Sequence, residues 1–311
     1  MRERHSSPPG AGRKLRSEKF YRKGFILLNV VPIFTLFCIG ILLPNLFSVI
    51  LSFFKWNGLS WNFKFMGLEN YKDMFSDPIV WKAFWNNMYF AFFTMLLTIT
   101  IGLAISAILC NNTVRHSRFF MAIFYFPNVM SSVVVSLLWK FMYDPQFGII
   151  NAVLRGVGLD SWAKIWLGDI HTVRPALVVP QVWSCIGLYL LIYTATIKGI
   201  NPSLYEASTL DGASKVKQFF RITLPLIWPT IRMTLVYFMA GALNTGFAFI
   251  RIMTNGGPNR ESEVLTSYLY ERAFTQGNYG FGAAIGVVIL IIGFAFYFLI
   301  EKVFKSEVYE Y

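Results

Sequence analysis

Six long apolar stretches divide the chain: Phe25–Phe54, Ala83–Cys110, Phe119–Tyr143, Pro175–Ile197, Trp228–Ile250 and Phe281–Ile300. Runs of about 18 or more apolar residues are long enough to cross a bilayer core of about 30 Å. Lipid offers no partner for a loose backbone N–H or C=O, so each run is predicted to cross as a helix. No Asp or Glu falls in the middle of any run, and the two cations inside them, Lys140 and Arg232, lie near run ends, where long side chains reach water. The first run far exceeds the roughly 7–15 apolar residues of a cleaved leader and is expected to be retained.

Basic residues set the orientation. They concentrate in the N-terminal tail (Arg2, Arg4, Arg13, Lys14, Arg16, Lys19, Arg22, Lys23), beside Arg115 and Arg118, around Lys198, Lys215, Lys217 and Arg221, and at Lys302 and Lys305. On the alternate side the cations are matched by Glu69, Asp73, Asp77, Asp144, Asp160, Asp169, Glu261, Glu263 and Glu271. Positive charge is retained on the cytoplasmic side, so both termini are expected there. The fold class is an all-α polytopic membrane protein with six transmembrane helices. Its expected parts are a mobile basic tail (1–24), a first helix (25–54), an external loop (55–82), a core holding the other five spans (83–304) and a short C-terminal tail (305–311).

Composition agrees: 55% of the 311 residues are hydrophobic and 14% charged, against about a quarter charged in soluble domains. The net charge of +12 is an orientation signal with affinity for anionic lipid rather than a nucleic-acid footprint. Cys38, Cys110 and Cys185 lie in or at the ends of apolar runs without paired spacing, and three scattered histidines give no metal pattern. No H-E-x-x-H, G-x-S-x-G or G-x-x-x-x-G-K-[ST] is present, so neither catalysis nor ATP binding by this chain is expected. Gly282 and Gly286 form a G-x-x-x-G suited to close helix packing. The lack of a mid-span carboxylate weighs against a proton-driven secondary transporter. That class, or a channel working without an ATPase, is the alternative, beside a pore-less scaffold.

One segment is out of character. Tyr205–Pro229 interrupts the apolar pattern with Glu206, Asp211, Lys215, Lys217 and Arg221. Asn201-Pro202 is a helix start, and Asp211-Gly212 a bend. A second helix is expected over about Ser214–Leu224, with Pro225 ending it. The pattern Glu206-Ala207-Ser208, three residues, Gly212, nine residues, Ile222-x-Leu224-Pro225 resembles the EAA motif of ABC importer permeases, with Ser208 in place of the second alanine. Asp211 beside Gly212, "FMGLENYKDMFSDP" (Phe65–Pro78), "FFMAIFYFPNVMSSVVVSLLWKFMYDPQFGIIN" (Phe119–Asn151) and "TNGGP" (Thr254–Pro258) are similar to the maltose/multiple-sugar branch.

The resemblance implies a cytoplasmic coupling helix, in segment 201–225 between the fourth and fifth spans, that docks into a separate ATPase subunit. Glu206 would make the polar contact, Ala207, Ser208 and Ala213 would keep bulk small, and Asp211 and Gly212 would shape the turn. It also implies a second homologous permease, two ATPase subunits carrying ATP and Mg, an external solute-binding protein and a sugar or oligosaccharide substrate. The place is a bacterial or archaeal cytoplasmic membrane. For the route, Cys185, Tyr189 and Tyr193 recur at i, i+4, i+8 on the fourth span, and Gly241, Asn244, Thr245 and Ala248 share a face of the fifth. Tyr189, Tyr193, Asn244 and Thr245 are the expected lining, uncharged donors, acceptors and rings that suit a neutral polyol; the same pattern also serves helix–helix packing.

Overall fold

The computed structural model describes residues 11–59, 61–110 and 116–303, and within these the side chains of 11–23, 240, 242, 244, 245, 300, 301 and 303 lie outside the description. The chain forms two units. In the first, α1 (Ala11–Phe37) passes through a π-helical turn at Cys38–Leu42 into α2 (Leu43–Leu51). The helix therefore starts inside the stretch assigned to the tail. Its side chains from Phe25 to Ile50 are almost all exposed and apolar, a surface stable only in lipid or against another protein.

The second unit opens with a two-stranded antiparallel pair, β1 (Phe54–Lys55) and β2 (Lys64–Phe65), in the register Phe54 to Phe65. Then follow α3 (Glu69–Ser76) and α4 (Pro78–Leu109), so the expected external loop 55–82 contains a helix and the second span begins at Pro78. Asp77 starts α4: its Oδ1 accepts the Ile79 N–H at 2.8 Å, with Pro78 in the first helical position.

The expected third span is not one helix. α5 (Ser117–Val129) and α6 (Ser132–Met142) meet at 100°. Pro127 weakens the end of α5, Met130 and Ser131 are extended, and Ser131 caps α6. At 1.5 Å per residue neither half alone reaches across a bilayer core.

After α7 (Ile149–Gly156), α8 (Val173–Lys198) runs through the centre of the unit. Next come α9 (Pro202–Leu210), α10 (Lys215–Gln218), α11 (Leu224–Leu226), α12 (Trp228–Thr245), α13 (Phe247–Met253), α14 (Leu265–Tyr270) and α15 (Tyr279–Val303). Among the described residues four helices are long and apolar enough to cross a membrane, and six spans result if each of two bent pairs counts as one.

Small residues let α4 and α5 approach α8 closely. A Cβ on Gly187 would stand 2.5 Å from the backbone of Phe124 and Tyr125, and Gly102 lies against Tyr189 and Tyr193. Ser106 Oγ sits 2.7 Å from Gly102 O and 3.1 Å from Leu190 O. Such contacts drive association where the hydrophobic effect between helices is absent. Three buried clusters result: α4–α6–α8–α13 around Phe90, Leu177 and Ile250; α4–α8–α12 around Tyr193 and Ile227; and α3–α4–α14–α15 around Met74, Tyr268 and Phe281.

Candidate functional site

The charged segment forms the expected helix, bend and helix, but the second helix is not a plain α-helix ended by Pro225: it passes through a π-helical turn, and Pro225 lies inside the short helix Leu224–Leu226. Asn201 Oδ1 accepts the Ser203 N–H at 3.1 Å and Pro202 opens α9. Gly212, at φ +74, ends it: Gly212 N–H reaches Thr209 O at 3.0 Å and Ala213 N–H reaches Ser208 O at 2.9 Å. That pair of bonds is a Schellman close, which satisfies the last carbonyls and favours glycine at the left-handed position. Ser214 Oγ then accepts from Lys217 N–H at 3.3 Å and starts α10, which passes through a π-helical turn at Phe219–Thr223 into α11.

A residue that the motif does not name holds the two halves together. Gln218 is 3% exposed, and its Nε2 lies 3.2 Å from Tyr205 O, 2.9 Å from Ser208 Oγ and 2.9 Å from Thr209 Oγ1. Tyr205 and Thr223 share a second bond, hydroxyl to hydroxyl, at 2.8 Å. Ser208 thus gives Gln218 an acceptor that alanine lacks. The only sequence signal was a neutral amide between Lys217 and Phe219.

The rest of the segment faces outward. Glu206, Ala207, Asp211 and Gly212 are exposed, Ser208 and Ala213 half-buried, and neither acid joins an ion pair among the described residues. Leu210 is 90% exposed, with Leu204, Val216 and Phe220 also uncovered. Charges and large uncovered apolar side chains thus share the surface of this bent segment.

Of the four expected route residues, the structure describes the side chains of the two tyrosines. Tyr189 and Tyr193 are buried. Tyr193 Oη lies 2.7 Å from Thr234 Oγ1 and the Tyr189 ring packs on Phe238. The i, i+4, i+8 face of α8 is turned onto α4 and α12, so within this chain both tyrosines are core. Asn244 and Thr245 lie in the last turn of α12, and their side chains are outside the description.

A second polar assembly, which the sequence showed only as balancing acids, surrounds residues 254–271. Lys82 Nζ pairs with Glu261 at 2.8 Å and donates to Asn259 O at 2.7 Å, and Arg174 approaches Glu261 at 3.7 Å. Asn86 donates to Glu263 O at 2.9 Å, and Asn87 Oδ1 accepts from Leu265 N–H at 2.8 Å. Arg260 bridges Glu263 at 2.7 Å and grips both oxygens of Glu271, while Ser267 also bonds Glu263, which is 2% exposed. A buried carboxylate requires such partners. The Arg260 bonds hold the Glu271 carboxyl below its usual range against the opposing effect of burial. Burial, with Asp77 accepting its hydroxyl at 2.5 Å, pushes Tyr268 up. No group of metal-ligating side chains occurs among the described residues.

The profile of a family described as "binding-protein-dependent transport system inner membrane component" matches residues 99–306. The chain belongs to this family. This inner-membrane component is 36% identical over 283 residues, 91% of its length and 96% of the relative's, to "Probable ABC transporter permease protein YurN" of Bacillus subtilis. It is 32% identical, over 94% of its length and 86% of the relative's, to "Diacetylchitobiose uptake system permease protein NgcF" of Streptomyces coelicolor. Its fold is that of a chain in the crystal structure of a bacterial ABC transporter involved in import of the acidic polysaccharide alginate. The two share a TM-score of 0.77 and 24% identity over 93% of this chain and all of the other.

Proposed function

We propose that this permease is one of two membrane subunits of an ATP-driven importer for a sugar or oligosaccharide, working by alternating access. Segment 201–225 is its coupling element. On this reading both termini are cytoplasmic, residues 1–24 and 305–311 are tails on that side, and Glu206 and Leu210 present the docking surface to an ATPase. Gly212 and Gln218 hold the bend rigid, so that a displacement of the segment is passed to α8 and α12 rather than absorbed. ATP and Mg belong to two ATPase subunits, and this chain carries out no chemistry. A second homologous permease and an external solute-binding protein complete the assembly.

The observation that carries this reading is the bent, uncovered helix pair of the EAA-like segment in a chain of this family. The sugar class is supported by the names of relatives, which specify diacetylchitobiose, arabinooligosaccharides, multiple sugars and lactose. For the route we propose the α8–α12 region with Tyr189, Tyr193, Asn244 and Thr245. The burial of both tyrosines favours wall packing over sugar contact.

The test is a gentle detergent purification from the native membrane. Recovery of an ATPase and a second permease, with uptake by the reconstituted complex that requires ATP, is the expected result. A chain that purifies alone and transports without ATP contradicts it.

A further inference from the structure

At the edge of the ion-pair assembly lies an open surface depression of about 460 Å³, lined by Arg251, Asn255, Asn259, Arg260, Glu271 and Thr275. Its volume falls in the range of small-molecule sites and exceeds one sugar ring. The charges are balanced: Arg260 is satisfied by Glu263 and Glu271, and Glu271 also accepts from Gln276. Arg251 makes no direct ion pair among the described residues, but it lies near enough to Glu271 to help hold that carboxyl down. It bonds Asn255 Oδ1 and lies over the Tyr270 ring at 4.9 Å. Asn255, Asn259 and Thr275 are exposed, so their amides and hydroxyl stand in water at the rim, where a ligand can replace that water.

Two further observations point to a ligand. Asn255, Asn259 and Arg260 have φ of 52, 47 and 61, an unusual density of left-handed non-glycine residues, and such conformations gather at binding sites. The depression also adjoins a run of aromatic rings. Tyr270 packs on Phe274, Phe274 on Tyr279, and Tyr279 on Trp56, with centroids 5.1 to 5.4 Å apart. Tyr270 and Phe274 are 37% and 60% exposed. Planar polar groups beside an exposed aromatic ledge match a sugar, whose hydroxyls need in-plane partners and whose C–H faces stack on rings.

We propose that this depression is a sugar-binding subsite, distinct from the α8–α12 route. It takes one neutral, pyranose-sized unit, with Arg251, Asn255 and Asn259 on its hydroxyls and the exposed Phe274 beside the next unit. The inference rests on the sugar-importer reading and places the subsite on the face where substrate arrives.

The test uses the chain with its co-purified partners in proteoliposomes, with Cys38, Cys110 and Cys185 replaced by serine and Thr275→Cys introduced. Alkylation of that cysteine by a membrane-impermeant maleimide is timed with and without N,N′-diacetylchitobiose, arabinotriose or lactose. One of these sugars should slow alkylation about fivefold, which corresponds to about 80% occupancy. Arg251→Ala and Asn255→Gly should abolish the protection; the glycine removes the amide yet keeps the left-handed backbone. Protection by no sugar overturns the proposal. So does protection by acetate alone, or by sugar-free binding protein alone, which would mark a carboxylate site or a docking surface. Sugar uptake by the same proteoliposomes is scored separately, so failure of the importer reading is told apart from failure of the subsite.

Discussion

Gly187 is where the backbone of α8 meets that of α5, and its replacement gives a prediction whose size follows from the structure. In Gly187→Ala the new Cβ would stand 2.5 Å from Phe124 O and Tyr125 Cα. Ordinary contact needs about 3.5–4.0 Å, so the helices must part by about 1 Å. Both obstructing atoms are backbone and cannot rotate away, which puts the overpacking cost near the top of the usual range, about 3 kcal/mol. Alanine in a helix recovers about 1 kcal/mol relative to glycine. The net expectation is a loss of about 2 kcal/mol. Gly293→Ala is the internal control: a Cβ there meets nothing within 4 Å, so only the gain of about 1 kcal/mol applies. At roughly 2 °C per kcal/mol for a large chain, thermal unfolding of the purified complex should shift by about −4 °C for the first variant and +2 °C for the second. Equal melting temperatures would refute the close α5–α8 crossing.

Glu206→Ala should insert normally yet lose ATP-dependent uptake while ATPase activity uncouples from sugar; normal uptake would remove the coupling role. Gly212→Val should cost about 1–3 kcal/mol through the left-handed backbone, whereas Gly212→Asn should melt near the parent, and a thermal comparison of the two checks this. Tyr193→Phe should cost about 1 kcal/mol for the lost bond to Thr234 and leave the apparent KM for sugar unchanged; a large rise in that constant would make Tyr193 a sugar contact rather than wall packing. Because Arg260 lowers the pKa of Glu271, that pair stabilises the fold above the ordinary glutamate pKa of about 4.3 and is lost as pH falls through the lowered value. Glu271→Gln should therefore show a shallower fall in melting temperature below pH of about 4.3 than the parent, and equal slopes would contradict the pairing.

The parts of this fold legible in sequence are those fixed by local chemistry. Asn201-Pro202 and Asp211-Gly212 located the ends of α9 because caps and left-handed turns depend on a few neighbouring residues. Four of the apolar runs correspond to helices long enough to cross a membrane, whereas the third is broken and the fifth qualifies only with Lys215–Leu226, to which it is bent by 66°. The break between α5 and α6 was signalled only by Pro127 and Ser131, inside a run apolar enough to read as continuous. Tyr189 and Tyr193 share a face by spacing, but spacing does not say whether that face meets a pore or the neighbouring helix; here α12 covers it. Gln218 acquires its role from partners across the bend, and Arg260 and Glu263 from a loop that folds Glu271 and Ser267 back onto them, which the apolar pattern does not record.

The most direct measurement is a photo-cross-link from the coupling segment. Leu210, 90% exposed at the bend, is replaced by a photoreactive residue, and the complex is irradiated in its native membrane. The account predicts a cross-link to an ATP-hydrolysing subunit, weakened by Gly212→Val. Cross-links to lipid alone, in membranes where uptake remains intact, would contradict it.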